Sequence, residues 1–341
     1  MYLQSIATAF PPHNFTQAEC LQILKSSGTV NSLRQRSRDL LEKILTGDSG
    51  ISTRQFCDPD LPKLFHADAG ELHHHFETHA PTLASAALLK ACDRAGIPPS
   101  SVDALLVCTC TGYLCPGLSS YISEHLGMKP TALLQDFLGL GCGAALPLLE
   151  TARGILTANP DATVATIAVE ISSAAFYLND DPGVLISLCL FGDGAAAALW
   201  RHHASGDQFR FHGFQTLHQP AHREKIRFVN ADGRLKNQLH REVPRLAADA
   251  VSQLFQKKST IPERLVAHTG GRDVILAIEN LLPAHPLEET RAVLRNHGNI
   301  SSPSVLAALE NSLATHPNTQ NIWITAFGAG FSAHAGELTR D

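Results

Sequence analysis

Gln135-Asp136-Phe137-Leu138-Gly139-Leu140-Gly141-Cys142-Gly143-Ala144-Ala145-Leu146-Pro147-Leu148-Leu149 is the stretch that decides the fold of this chain. A short apolar run ends in glycines, a cysteine follows, and the next residues have the pattern of a helix. A thiol there lies at a helix N-terminus, where unpaired N–H groups and the helix dipole favour the thiolate. The alternative is a packed thiol, since cysteine is among the most buried residue types. A second stretch of similar shape separates the two readings: Asn296-His297-Gly298-Asn299-Ile300-Ser301-Ser302-Pro303-Ser304-Val305-Leu306.

The two stretches belong to a longer repeat. Strand Ala104–Thr109 matches strand Arg264–His268, the Cys142 segment matches the Asn299 segment, and strand Val164–Val169 matches Ile322–Phe327. Val107 and Cys142 are 35 positions apart, Val266 and Asn299 are 33 apart. This predicts a duplicated βαβ-rich α/β unit, with an N-terminal half over 1–205 and a C-terminal half over 206–341. Pseudo-twofold packing would set Cys142 and Asn299 at equivalent, facing helix starts, with His268 ending a strand near the same axis.

Around this repeat the chain reads as alternating elements. Residues 2–8 read as a strand, and Thr16-Gln17-Ala18-Glu19 has the capping-box pattern that opens a helix. The stretch 45–80 reads as polar and irregular, and Pro81–Gly96 as a helix. Residues 218–240 read as a looser polar surface region.

Composition narrows the function classes. The chain has 341 residues, 44% hydrophobic and 17% charged, with net charge -5. A nucleic-acid binder would carry a basic stripe, and none is present. The eight cysteines include no Cys-x-x-Cys pair, so a structural zinc site is not expected. The N-terminus lacks a basic segment followed by an apolar one, and no apolar run approaches the roughly 20 residues of a membrane span. A cytoplasmic location with free thiols is the expectation.

A thiolate beside an imidazole is an activated nucleophile. Cys142 could take an acyl group as a thioester, with His268 as charge partner. The Asn299 amide N–H groups and His268 could donate together to one carbonyl oxygen. Such a site stabilises an enolate as well as a tetrahedral intermediate. It suits decarboxylation of a malonyl thioester followed by Claisen attack on the cysteine-bound acyl group. A hydrolase would need a water route and a general base, which the pattern does not single out.

Six motifs in order carry a family resemblance: Val107-Cys-Thr-Cys-Thr-Gly112, Gly141-Cys142, Leu190-Phe-Gly-Asp-Gly-Ala195, His268-Thr-Gly-Gly271, Gly298-Asn299-Ile-Ser-Ser302 and Ala326-Phe-Gly-Ala-Gly330. From about residue 80 onward the chain resembles the condensing enzymes of the thiolase superfamily. It is most similar to the type III polyketide synthases, the chalcone synthase-like group. Ketoacyl-acyl carrier protein synthase III is the nearest rival, and the hydroxymethylglutaryl-CoA synthases fit less well. Two motifs depart from the family's: Ala329 stands where its Phe-Gly-x-Gly loop has proline, and Thr269 where its His-x-Gly-Gly has proline. The segment 203–240 is shorter than in the plant enzymes, and the family's second gatekeeping phenylalanine has no evident counterpart.

The resemblance implies a thiolase-like, five-layer αβαβα fold, a homodimer, and acyl-CoA starter and malonyl-CoA as coenzyme A thioester substrates, with no permanently bound cofactor and no metal. It implies that Phe191 is a gate beside the nucleophile. Cys110, Thr111 and Ser301 would line the pocket, as would the loop of Phe327, Gly328 and Gly330. Cys115 would lie on a loop that crosses the dimer interface. Arg54 would contact coenzyme A, and Gly270 and Gly271 would admit its pantetheine arm. Each has a plainer reading, as core ring, buried thiol, helix cap, surface arginine or turn. His73, His74, His75 and His79 read as polar surface rather than as metal ligands. Two further functions fit the same residues: a single condensation with an acyl carrier protein as donor, and a non-catalytic acyl-CoA binder.

Overall fold

The computed structural model describes residues 1–340. The N-terminal half begins with β1 (Tyr2–Ala9), β2 (His13–Thr16), α1 (Gln17–Ser26), α2 (Gln35–Thr46), β3 (Thr53–Phe56), α3 (Leu61–His66) and α4 (Ala69–Ala95). It continues through β4 (Ala104–Cys108), α5 (Leu118–His125), β5 (Leu133–Phe137), α6 (Ala145–Ala158), β6 (Thr163–Glu170), α7 (Pro182–Leu190) and β7 (Gly194–Arg201). Next come β8 (Phe209–Arg223), β9 (Ile226–Ala231), β10 (Arg234–Leu239), α8 (Val243–Phe255), β11 (Arg264–Ala267) and α9 (Arg272–Leu281). The chain closes with α10 (Glu288–His297), α11 (Ser304–Thr315), β12 (Asn321–Gly328) and β13 (Gly330–Arg340).

The duplication is explicit in the topology. Nine strands run in the order β11-β12-β13-β8-β1-β7-β6-β4-β5. Read outward from the β8–β1 junction, β1-β7-β6-β4 mirrors β8-β13-β12-β11. In both halves the outer pair is parallel (β4 with β6, β11 with β12) and the inner pairs are antiparallel.

Alternation along the strands builds the layers. Leu106 and Cys108 of β4 share a core with Ala145 and Leu149 of α6 and with Val305 and Leu309 of α11, as do Ile322 and Ile324 of β12. Leu105 and Val107 face the other way, onto Ala84, Ala87, Leu88 and Ala91 of α4. Trp323 of β12 faces α8 and α9. Helices α6 and α11 therefore lie between the two sheets, with α4 and α8 outside, giving the expected five-layer thiolase-like arrangement. Small residues make it possible: Ala195 and Ala197 of β7 face α4 while Ala196 and Ala198 face the central layer, all fully buried.

Three expectations are corrected. The helix expected to begin at Pro81 begins at Ala69, because Asp68 and Glu71 form a capping box and Pro81 is carried inside the helix. Cys142 lies in a short 3-10 turn, Gly141–Gly143, just before α6, rather than within its first turn. The region read as loose surface is a β-hairpin. β9 pairs with β10 through Asp232 and Gly233, whose φ values of 53° and 78° suit the tight turn that hairpins favour. None of the β9 or β10 residues is fully buried, because the hairpin covers a cavity rather than a core.

Candidate active site

The turn that holds Cys142 is fixed by glycines. Gly141 has φ +62°, and a Cβ there would come within 2.7 Å of Ala329 N. Gly328, at the end of β12, packs against the nucleophile's own backbone. A Cβ on it would meet Gly143 N at 2.5 Å and Cys142 N at 2.9 Å. The Ala326–Gly330 segment thus braces the Cys142 turn.

Cys142, His268 and Asn299 line one cavity of about 30 Å³, with Phe191, Phe228 and Asn237 on its walls. Cys142 is 8% exposed, His268 1% and Asn299 3%. Hydrogen bonding from the Cys110 thiol holds the Cys142 thiol well below its ordinary pKa, aided by the His268 imidazole and the Ser301 hydroxyl, and these outweigh burial. Ser301 Oγ donates to Cys142 Sγ at 3.1 Å. The Cys110 thiol moves the other way, raised by its bond to Cys142, by burial and by the Glu170 charge. Of the two adjacent thiols, Cys142 is the one whose ionised form the surroundings favour.

Backbone bonds orient Asn299. Its N–H donates to Leu190 O at 2.9 Å, and Gly192 N donates to its carbonyl at 3.1 Å. Its side-chain Oδ1 accepts from Ser301 N at 2.8 Å. With Oδ1 occupied, the amide has its Nδ2–H groups left to offer the cavity. Ser301 holds φ +56°, an uncommon conformation for a side-chain-bearing residue, and that bend lets its N–H and Oγ serve Asn299 and Cys142 at once. His268 stacks edge-on against Phe327 at 5.1 Å, and its Nδ1 is buried without a partner. Among the described residues no carboxylate bonds the imidazole, unlike a Cys-His-Asp relay.

Beneath the cavity lies a residue that the sequence did not single out. Glu170 is fully buried at the end of β6. It accepts from Thr109 Oγ1 (3.2 Å), Cys110 N (3.0 Å), Thr111 Oγ1 (2.9 Å) and Ser302 Oγ (2.6 Å). Cys110 Sγ and Ser301 Oγ also lie 3.2 Å from it, and each has one proton to give either to Glu170 or to Cys142. Burial raises its pKa, opposed by these donors. The only signal in the sequence is an acidic residue directly after the apolar run Val164–Val169. Asp193, in the Phe-Gly-Asp-Gly motif, is similarly buried and pushed up to about 6, and it accepts from Cys57 N, Ser173 N and Ser173 Oγ.

Other expected residues divide. Phe191 closes α7 and lines both the nucleophile's cavity and a neighbouring one that contains Thr111, Phe176, Phe228 and Ser301. Gly270 lines the nucleophile's cavity, its Cα packed against the Phe327 ring, while Gly271 holds φ +122° before α9. Gly330, with φ +116°, opens β13 and lines the adjoining cleft. Cys115 is exposed and precedes a cis peptide to Pro116. Arg54 is not at a solvent-facing mouth. It is 3% exposed, with Nη1 donating to Leu188 O (2.7 Å) and Phe191 O (2.8 Å), so it secures the backbone at Phe191. Strand β3, paired with β2, carries it inward. His75, in the histidine-rich helix, is buried and bonded to Ser173 Oγ at 2.9 Å.

Comparison with known proteins agrees with this geometry. The family model for FAE1/type III polyketide synthase-like proteins matches residues 2–257. The chain is 26% identical to a 1,3,6,8-tetrahydroxynaphthalene synthase of Streptomyces griseus, over 96% of this chain and 89% of that one. It is 24% identical to a phloroglucinol synthase of Pseudomonas fluorescens, over 97% of each. Its fold superposes on the crystal structure of PKS-I from the brown alga Ectocarpus siliculosus with TM-score 0.90, at 24% identity, covering 99% and 98% of the two chains. The chain belongs to the FAE1/type III polyketide synthase-like family.

Proposed function

We propose that Cys142, His268 and Asn299 carry the condensing chemistry of this type III polyketide synthase. The observation that carries the reading is one cavity that holds a thiol of lowered pKa, an imidazole and an amide with only its N–H groups unengaged. The Cys142 thiolate attacks the carbonyl carbon of an acyl-CoA starter, and the coenzyme A thiolate leaves. A malonyl-CoA then loses CO2. The electron pair of the broken C–C bond becomes an enolate, whose oxygen accepts from Asn299 Nδ2–H and His268. The enolate carbon attacks the Cys142 thioester, Cys142 leaves as thiolate, and the chain is two carbons longer on coenzyme A. Repetition and ring closure release a pyrone, a resorcinol or a related polyketide. The small chamber beyond Phe191 favours a short or aromatic starter over a fatty one.

The test is incubation with acyl-CoA and malonyl-CoA alone, with products and the acyl adduct read by mass. Multiply extended, cyclised products and an adduct lost in Cys142→Ser support the reading. An adduct unchanged by Cys142→Ser overturns it. Turnover only after a carrier protein is added would place the enzyme with single-condensation synthases. Stoichiometric binding without CO2 release would make it a binder.

The active form we propose is a homodimer in the cytoplasm, and we take the two halves as 1–205 and 206–341. Strand β5 is an unpaired sheet edge, and Leu133, Leu138 and Tyr113 are exposed along it and the nearby loops, with Cys115 on the same loop as Tyr113. Light scattering on a sizing column tests the dimer. All eight cysteines are free, which suits a reducing compartment, and no described helix is long and apolar enough to cross a membrane.

A further inference from the structure

Arg227 is the only fixed positive charge among the residues lining the nucleophile's cavity. It sits on β9 of the hairpin and also lines a second, open cleft of about 840 Å³. The two spaces share Cys110, Gly141, Arg227, Phe228 and Ala329, so the cleft adjoins the nucleophile on the Cys110 side. Three guanidinium groups line the cleft, Arg223, Arg227 and Arg234, against one carboxylate, Glu224. That local excess of positive charge runs against the net -5 of the chain.

The pairing of these arginines leaves donors free. Arg227 gives only Nη1 to Glu224, at 2.8 Å to both oxygens, in a pair that is 39% and 59% exposed. An exposed pair of this kind is weak and readily yields its partner. Its Nε and Nη2 donate to no described residue. Arg234 packs over the Tyr177 ring at 5.9 Å and pairs with no carboxylate among the described residues. A planar guanidinium with two free donors, lining the same cavity as the Cys142 thiol, matches a carboxylate in geometry and charge.

We infer that Arg227 selects acyl thioesters whose far end carries a carboxylate, and that the acid end occupies the junction of cavity and cleft while Cys142 takes the acyl group. The inference rests on the proposed thioester chemistry at Cys142. Arg227 is a specificity-determining residue here and takes no part in bond making.

The experiment is a competition between glutaryl-CoA and its monomethyl ester, with the Cys142 adduct resolved by intact mass. The wild-type enzyme should load the free acid at least about tenfold over the ester. In Arg227→Gln that ratio should fall to about one, and Arg227→Lys should retain part of it. Equal loading or ester preference in the wild type overturns the inference, whatever the variants do. The same pair offered as pantetheine thioesters, which lack the phosphates and adenosine, should keep the ratio. A ratio that vanishes with pantetheine would mean that the arginines read coenzyme A phosphates, and that too overturns it. Absence of any adduct defeats the proposed chemistry itself, whereas loading without discrimination defeats only this inference.

Discussion

Gly328→Ala is the perturbation whose effect the geometry fixes most closely. The new methyl carbon would lie 2.5 Å from Gly143 N, 2.8 Å from Leu140 O and 2.9 Å from Cys142 N. All three atoms are backbone, so no side chain can swing away. Opening the shortest contact to the ordinary 3.4 Å requires the Cys142 turn and the end of β12 to separate by about 0.9 Å. Overpacking of this kind costs about 1–3 kcal/mol of stability. A misplacement near 1 Å costs about 10²-fold in rate. Gly154→Ala is the matched control, since it lies on α6 with nothing within 4 Å of its added carbon. It should stabilise the helix by up to about 1 kcal/mol. The assay is the single-turnover rate of Cys142 acylation by intact mass, alongside thermal unfolding. Gly328→Ala should load about 10²-fold more slowly while still folding cooperatively. Loading within threefold of wild type would refute the claim that the Gly328 contact positions the nucleophile.

Four further outcomes follow from the same site. Because the Cys142 thiol is held below its ordinary range, alkylation by iodoacetamide should keep its rate as pH falls toward 7, where a free thiol of pKa about 8.5 slows. Cys110→Ala removes a donor to the thiolate and should move the profile to higher pH, and an unmoved midpoint would show that Cys110 does not support it. Asn299→Asp replaces the amide donors with an acceptor, and malonyl-CoA decarboxylation should fall about 10²–10³-fold, with a smaller loss in starter loading. Equal losses would remove the amide from the enolate step. Phe228→Ala takes away one of the two rings, with Phe191, that line both chambers, and products measured by mass should gain at least one extension. An unchanged product spectrum would show that this wall does not limit chain length.

Residues differ in how far the sequence alone exposes them, and the reasons are physical. Cys142 and Asn299 are legible because each follows glycines and precedes an apolar helix, and the repetition of that grammar in two places is rare by chance. His268 is legible because it ends the strand equivalent to β4. The hairpin over the site was misread because it covers a cavity, so its strands lack the alternation that a packed face imposes. Asp232-Gly233 between two short strands is the signal that would have found it. Arg54 reads as a coenzyme A contact, or more plainly as a surface arginine, because arginines are seldom buried. Only its seat beneath α7, where it caps backbone carbonyls, explains its burial. Glu170 leaves only the faint signal of an acid after an apolar run, since its donors come from positions as far apart as Thr109 and Ser302.

The duplication explains why those hidden supports fall where they do. In the paired strands, Val169 of β6 corresponds to Phe327 of β12, so Glu170 and Gly328 occupy equivalent positions. Each reaches across the pseudo-twofold axis. Gly328, from the C-terminal half, presses on the Cys142 turn of the N-terminal half. Glu170, from the N-terminal half, anchors Ser301 and Ser302, which follow Asn299 in the C-terminal half. Each helix start is braced by the other half's strand end, and the C-terminal half adds a bond of its own, from Thr269 Oγ1 to Ser304 Oγ at 2.9 Å. The spacing of Cys142 and Asn299 therefore depends on how the two halves dock. The two equivalent positions differ, one a close backbone contact and the other a buried carboxylate. The proposed chemistry divides between the halves in the same way: the N-terminal half carries the thiol that would bond to substrate, Cys142, and the C-terminal half carries the donors that would meet the developing charge, His268 and Asn299.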